Sequence, residues 1–74
     1  MEYKKDNIVL IKGNDNKIKK GVIRSVFPDV KMLMPEFDWN GDAYIVDCNE
    51  KTKEGIRFCN IIPLENIIKK ARFN

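Results

Sequence analysis

The side chains of this 74-residue chain best able to do chemistry are two cysteines, Cys48 and Cys59; histidine is absent. Without histidine the chain lacks the commonest general base and metal ligand. Ser25 is the only serine and Thr52 the only threonine, and neither sits in a nucleophile-elbow pattern. No glycine-rich phosphate loop occurs. A zinc site needs roughly four ligands, and no CxxC pair is present to begin one. The chain is therefore expected to be no enzyme and to carry no metal or cofactor.

Cys48 and Cys59 fall on the two strands of one expected hairpin, so a disulfide is geometrically conceivable. Strand alternation argues against it. If Ile56 and Phe58 point inward, Cys59 points outward, and both cysteines read as small apolar residues that stay reduced. Glu36-Phe37-Asp38-Trp39-Asn40-Gly41-Asp42, followed by Asp47, echoes a calcium loop. It departs in opening with glutamate, closing with aspartate and lying between expected strands, and it reads as an acidic turn.

Two clusters point to binding. Lys12, Lys17, Lys19, Lys20 and Arg24 gather around one expected hairpin and suit phosphate contacts, which are sequence-independent and salt-sensitive. Base stacking would need aromatics nearby, and only Tyr3 and Phe27 are close in sequence. Met32, Leu33, Met34, Phe37 and Trp39 place five large apolar side chains in an irregular stretch. Tryptophan and methionine are enriched in interface cores. The acids around them repel phosphate, so this segment suits a protein partner. Its competing role is a cap folded over the core.

Charge follows the same division. Residues 1–35 carry eight basic and four acidic groups, residues 36–54 two and six, and residues 55–74 four and one. Such blocks imply surface patches of opposite sign.

These side chains must be positioned by few elements, because a chain this short forms one domain, residues 1–74, with a small core. Residues 8–12 and 22–27 read as strands joined by a turn rich in Gly, Asn and Asp. Alternation assigns Ile8, Leu10, Val22, Val26, Tyr44, Val46, Ile56 and Phe58 to the core, and a one-residue slip would substitute Val9, Ile11 and Ile23. Asn40-Gly41 predicts a tight turn, with residues 31–34 as a short strand before it. Residues 43–48 and 56–61 predict further strands, with Gly55 in a left-handed position. Leu64, Ile67, Ile68 and Ala71 fall at helical spacing after Pro63, which predicts a short C-terminal helix. Lys69, Lys70 and Arg72 suit its dipole. A closing strand over residues 67–73 is the competing reading.

Residues 6–27 resemble the KOW motif and the wider SH3-like small barrels. The resemblance rests on Asp6-Asn7 at the polar strand start, Gly13 in the turn, the basic run, and Gly21 opening an apolar second strand. Asn7 departs from the usual glycine. Ile61-Ile62-Pro63-Leu64 is similar to the apolar-Pro step after the fourth strand of such barrels. The resemblance implies a mostly-β, five-stranded barrel with a short C-terminal helix or helical turn. It also implies binding without catalysis, to nucleic acid, peptide or protein surfaces.

The leading expectation is a protein-interaction module that uses Met34, Phe37 and Trp39 in the 32–42 loop. The alternative is a nucleic-acid-binding module using Lys12, Lys17, Lys19, Lys20 and Arg24. No apolar run approaches the ~20 residues that span a bilayer. A cytoplasmic monomer is expected, and the Lys, Ile and Asn bias suggests a low-GC bacterium or its mobile elements.

Overall fold

The computed structural model describes residues 3–71. Five strands carry the fold: β1 (Ile8–Lys12), β2 (Ile18–Phe27), β3 (Ala43–Lys51), β4 (Arg57–Ile62) and β5 (Ile67–Lys70). They form one antiparallel sheet in the order β4-β3-β2-β1-β5. The β-branched residues of Ile8-Val9 and Val22-Ile23 favour this pleated, half-buried surface. A single helical turn, α1 (Val30–Leu33), interrupts the connection between β2 and β3. It stands where a short strand over residues 31–34 was expected. Asp29 accounts for the difference: its carboxylate accepts from the Lys31 N–H at 3.0 Å and caps the turn.

The core consists of Val9, Ile11, Ile23, Tyr44, Val46, Ile62 and Ile67. Tyr44 and Val46 lie where alternation puts them. Ile8, Leu10 and Val22 are only half-buried, and the one-residue slip to Val9, Ile11 and Ile23 is what occurs. Residues 8–11 are apolar at every position, so alternation there cannot choose a face. Val26 nonetheless packs against the core. A register shift between Ile23 and Ser25 inserts one residue, Arg24, and turns Val26 back to the face of Ile23. Ile56 and Phe58 are exposed, correcting the inward assignment: β4 begins only at Arg57, and its buried residues are Asn60 and Ile62.

The C-terminal helix is also corrected. Only a 3-10 turn at Leu64–Asn66 follows Pro63, and Ile67 then enters β5, which pairs with β1 through Val9–Lys70, Leu10–Lys69 and Ile11–Ile67. Pairing β5 with β1 buries Ile67 and satisfies the backbone groups on the edge of β1, which a C-terminal helix would leave unpaired; the sheet stays open, with β4 and β5 at its two ends. Arg72 and Phe73, part of the competing reading, lie outside the described residues.

Gly21 lies opposite Val9 in the ladder and is buried. A Cβ built there would sit 2.7 Å from Cys48 Sγ, 2.7 Å from Val46 Cγ1 and 2.8 Å from the Asp47 carbonyl. The glycine lets β3 approach β2 more closely than any side chain would permit.

Candidate interaction surfaces

The segment between β2 and β3 is a closed unit. Val30 N–H donates to the Gly41 carbonyl at 2.9 Å and ties its two ends together. Gly41 has φ +103, a conformation open to glycine, but it forms a bend rather than the expected tight turn, and the hydrogen-bonded turn of this loop lies at Pro35-Glu36. Val30 is fully buried and anchors the base. Inside the loop, Met34 N–H bonds to the Val30 carbonyl at 2.8 Å, and Phe37 N–H to the Met34 carbonyl at 3.2 Å. The Lys31 ammonium donates to the Phe37 carbonyl.

This scaffold presents the apolar residues singled out above. Met32 is 83% exposed and Met34 36% exposed. Phe37 and Trp39 stack on each other, with ring centroids 5.6 Å apart and planes tilted by 40°. Both rings are half-buried. The partly buried side chains that pack on the core are Tyr3, Val26 and Cys48, and Trp39 is not among them. Glu36 and Asp38 are exposed beside the ring pair. Among the described residues, no three His, Cys, Asp or Glu side chains gather in a metal-holding group.

The basic cluster is split by the pleat. Lys20 lies opposite Leu10 and Ile18 opposite Lys12, so Lys12, Ile18 and Lys20 share the outer face. Lys19 lies opposite the buried Ile11 and takes the other face. There its ammonium meets Glu50 at 2.6 Å and Asp15 at 2.9 Å. Arg24 contacts Asp47 at 3.4 Å, and Arg57 contacts the same carboxylate at 2.7 Å. Lys17 is exposed in the turn. Of the five basic residues, Lys19 and Arg24 are thus committed to internal ion pairs. The register adds one that local sequence order does not group with them: Lys69 of β5 lies opposite Leu10, on the outer face with Lys12 and Lys20. No local pattern announces it, because it depends on the pairing of chain ends.

The tip of the first hairpin is fastened to β4. Asn14 donates through Nδ2 to the Ile61 carbonyl at 3.0 Å, and its Oδ1 accepts from the Ile61 N–H at 3.1 Å. Buried Asn60 accepts from the Asn14 N–H at 3.0 Å and donates to Glu50 at 2.8 Å. The turn rich in Gly, Asn and Asp is therefore a latch across the sheet.

These contacts set the titration behaviour. Lys19, then Asn60, hold the Glu50 carboxyl below its usual range, and Lys19 does the same for Asp15. The Asn49 N–H, then Arg57, lower Asp47. Glu50 raises Lys19. Depressed carboxyls contribute stability above their unfolded values and lose it as pH falls through the folded ones. A raised lysine contributes below its unfolded value and loses that contribution as pH rises through the folded one. The thiols of Cys48 and Cys59 are also raised, so melting temperature should be level from about pH 5 to about pH 8 and fall on either side. Thermal melts followed by circular dichroism across that span test this, and a step near neutrality contradicts it.

Both cysteines are free thiols. Cys48 is half-buried on the face of Gly21, whereas Cys59 is exposed. Partial burial, then the charge of Glu50, push the Cys48 thiol up, and the Cys59 thiol shifts the same way through the desolvation it retains and the nearby Asp47. Among the described residues no pocket opens in the surface, and no helix is long and apolar enough to cross a membrane. No family model, curated protein or solved structure matches this chain.

Proposed function

We propose that this chain is a non-catalytic protein-interaction module that binds its partner through the 29–42 loop. The observation that carries the reading is the closed loop base, which displays Met32, Met34 and the Phe37–Trp39 pair away from the core. A pre-organised apolar patch loses little conformational entropy on binding. Glu36 and Asp38 at its edge select a partner segment that combines apolar and basic residues.

An SH3-like barrel is the fold this proposal assumes. The β2 bulge, the 3-10 turn before β5, the pairing of β5 with β1 and the Asn14 latch support it. The proposed setting is the cytoplasm of a bacterium. Nucleic-acid binding is the second reading, now carried by Lys12, Lys20 and Lys69 on the outer face.

The test is affinity capture from nuclease-treated extract, repeated with Trp39→Ala. Trp39 is half-buried on Phe37 alone among the aromatic rings, so the substitution should cost only about 1 kcal/mol of stability. It should cost about 2 kcal/mol or more of partner affinity, roughly a thirtyfold loss. Capture that survives Trp39→Ala but fails after Lys12, Lys20 and Lys69 are changed to Glu refutes the loop reading.

A further inference from the structure

The outer edge of β4 has a defined polarity. The Ile56 carbonyl accepts from the Thr52 N–H across the β3–β4 turn, so residue 56 turns its backbone groups toward β3. Ile61 turns its N–H and carbonyl the opposite way, to Asn14. Both observations give one alternation: residues 56, 58, 60 and 62 face β3, and residues 57, 59 and 61 face outward. Asn14 occupies the station at Ile61. Arg57 and Cys59 present the other two stations, with exposed side chains and with Phe58 41% exposed between them.

Sheet edges are usually guarded by charged side chains, lysine above all, or by proline, and the one charge on β4, Arg57, is drawn to Asp47. β5, at the other end of the sheet, carries Lys69 and Lys70, whereas β4 contains neither lysine nor proline.

We propose that β4 pairs antiparallel with β4 of a second copy about a two-fold axis through Phe58. The register is set by the stations. An axis at Cys59 would place Arg57 opposite an Ile61 already bonded to Asn14. An axis at Arg57 would set two guanidinium groups against each other. An axis at Phe58 places Arg57 opposite Cys59 of the other copy, and both residues face outward, so each pair exchanges two N–H···O bonds. Phe58 then meets its own mate in a non-hydrogen-bonded pair, where Cα atoms approach to about 4.5 Å and aromatic side chains cover each other. Gly55 falls opposite the latched Ile61. Gly55 lies in the β3–β4 turn with φ +85, where the chain has left the ladder, so the pairing ends before it reaches Asn14. Within the paired stretch Arg57 is the only charge, and it is already held by Asp47. The contact is short, so the dimer is reversible and concentration-dependent.

Sedimentation equilibrium of the full chain, up to millimolar concentration, tests the pairing. Wild type should show reversible dimerisation, and Phe58→Glu should weaken it at least about tenfold by setting two carboxylates across the axis. Circular dichroism confirms that the exposed position tolerates the change. Mild oxidation reads the register. Phe58→Cys in a Cys59→Ser background should form a covalent dimer, whereas wild-type Cys59, facing Arg57 of the other copy, should not. A wild type that stays monomeric at millimolar concentration overturns the proposal. So does preferential cross-linking through Cys59.

Discussion

Replacing Gly21 with valine should destabilise the domain by about 3 kcal/mol or more, enough to remove much of its folding free energy. The first carbon of any side chain there falls within 2.8 Å of the Asp47 carbonyl, which is backbone and cannot rotate away. Overpacking a filled core commonly costs 1–3 kcal/mol when flexible side chains yield (about 2 is typical). Here the β3 strand itself must move, and Val46 and Cys48 move with it. A domain of this length has a total stability of about 4–11 kcal/mol at the usual ~0.05–0.15 kcal/mol per residue. Urea denaturation should show a lower midpoint for Gly21→Val, or no folded baseline. Gly21→Ala should already be measurably destabilised. An unchanged midpoint for valine would show that β2 and β3 separate freely at this point.

The second large effect is expected at Asn60. Its amide joins the Asn14 backbone to Glu50, and it is the one buried polar residue among the described residues. Asn60→Ala removes two hydrogen bonds from a network that includes Lys19, and should cost about 2 kcal/mol. The Asn14 end is exposed and water replaces part of what is lost, which keeps the cost from rising further. The distinguishing readout is local. The Ile61 amide, bonded to Asn14, should exchange its hydrogen far faster in Asn60→Ala, while β1–β2 ladder amides away from the loop change only with global stability. Equal acceleration at all amides would mean that the latch has no separate existence.

Legibility in the sequence followed the range of the forces involved. Gly21 was readable because a glycine beside an apolar run marks a bend or a close backbone approach, although it lies inside β2, which begins at Ile18, and does not open the strand. Tyr44, Val46 and the left-handed Gly41 and Gly55 were readable because local pattern or backbone sterics decides them, whereas the hydrogen-bonded turn of the loop falls at Pro35-Glu36 and not at Asn40-Gly41. The face of β1 was not, since apolar residues fill both sides of the pleat at 8–11. Leu64, Ile67, Ile68 and Ala71 fit a helix until β1 offers its edge to Ile67–Lys70, a pairing between chain ends that no local period encodes. The basic cluster misled for a related reason. Adjacent lysines at 19 and 20 lie on opposite faces, and the partners of Lys19 and Arg24 come from β3 and from the turn. The apolar loop residues are neighbours in sequence, but the Val30–Gly41 bond that closes the loop beneath them is not revealed by sequence order.

That closure also bears on how the chain can change. The two ends of the loop are held within one hydrogen bond, with buried Val30 on one side and Gly41 on the other. These two points form a gate at which the chain leaves the sheet and returns to it. Loop-closure entropy grows only slowly with length, by ~0.6 kcal/mol for each doubling. Segments of other lengths and compositions, grafted between Val30 and Gly41, meet the same gate and leave the strands untouched. The 31–40 stretch is thus the part of the chain whose length can vary at least cost to the sheet, since its ends are fixed at Val30 and Gly41.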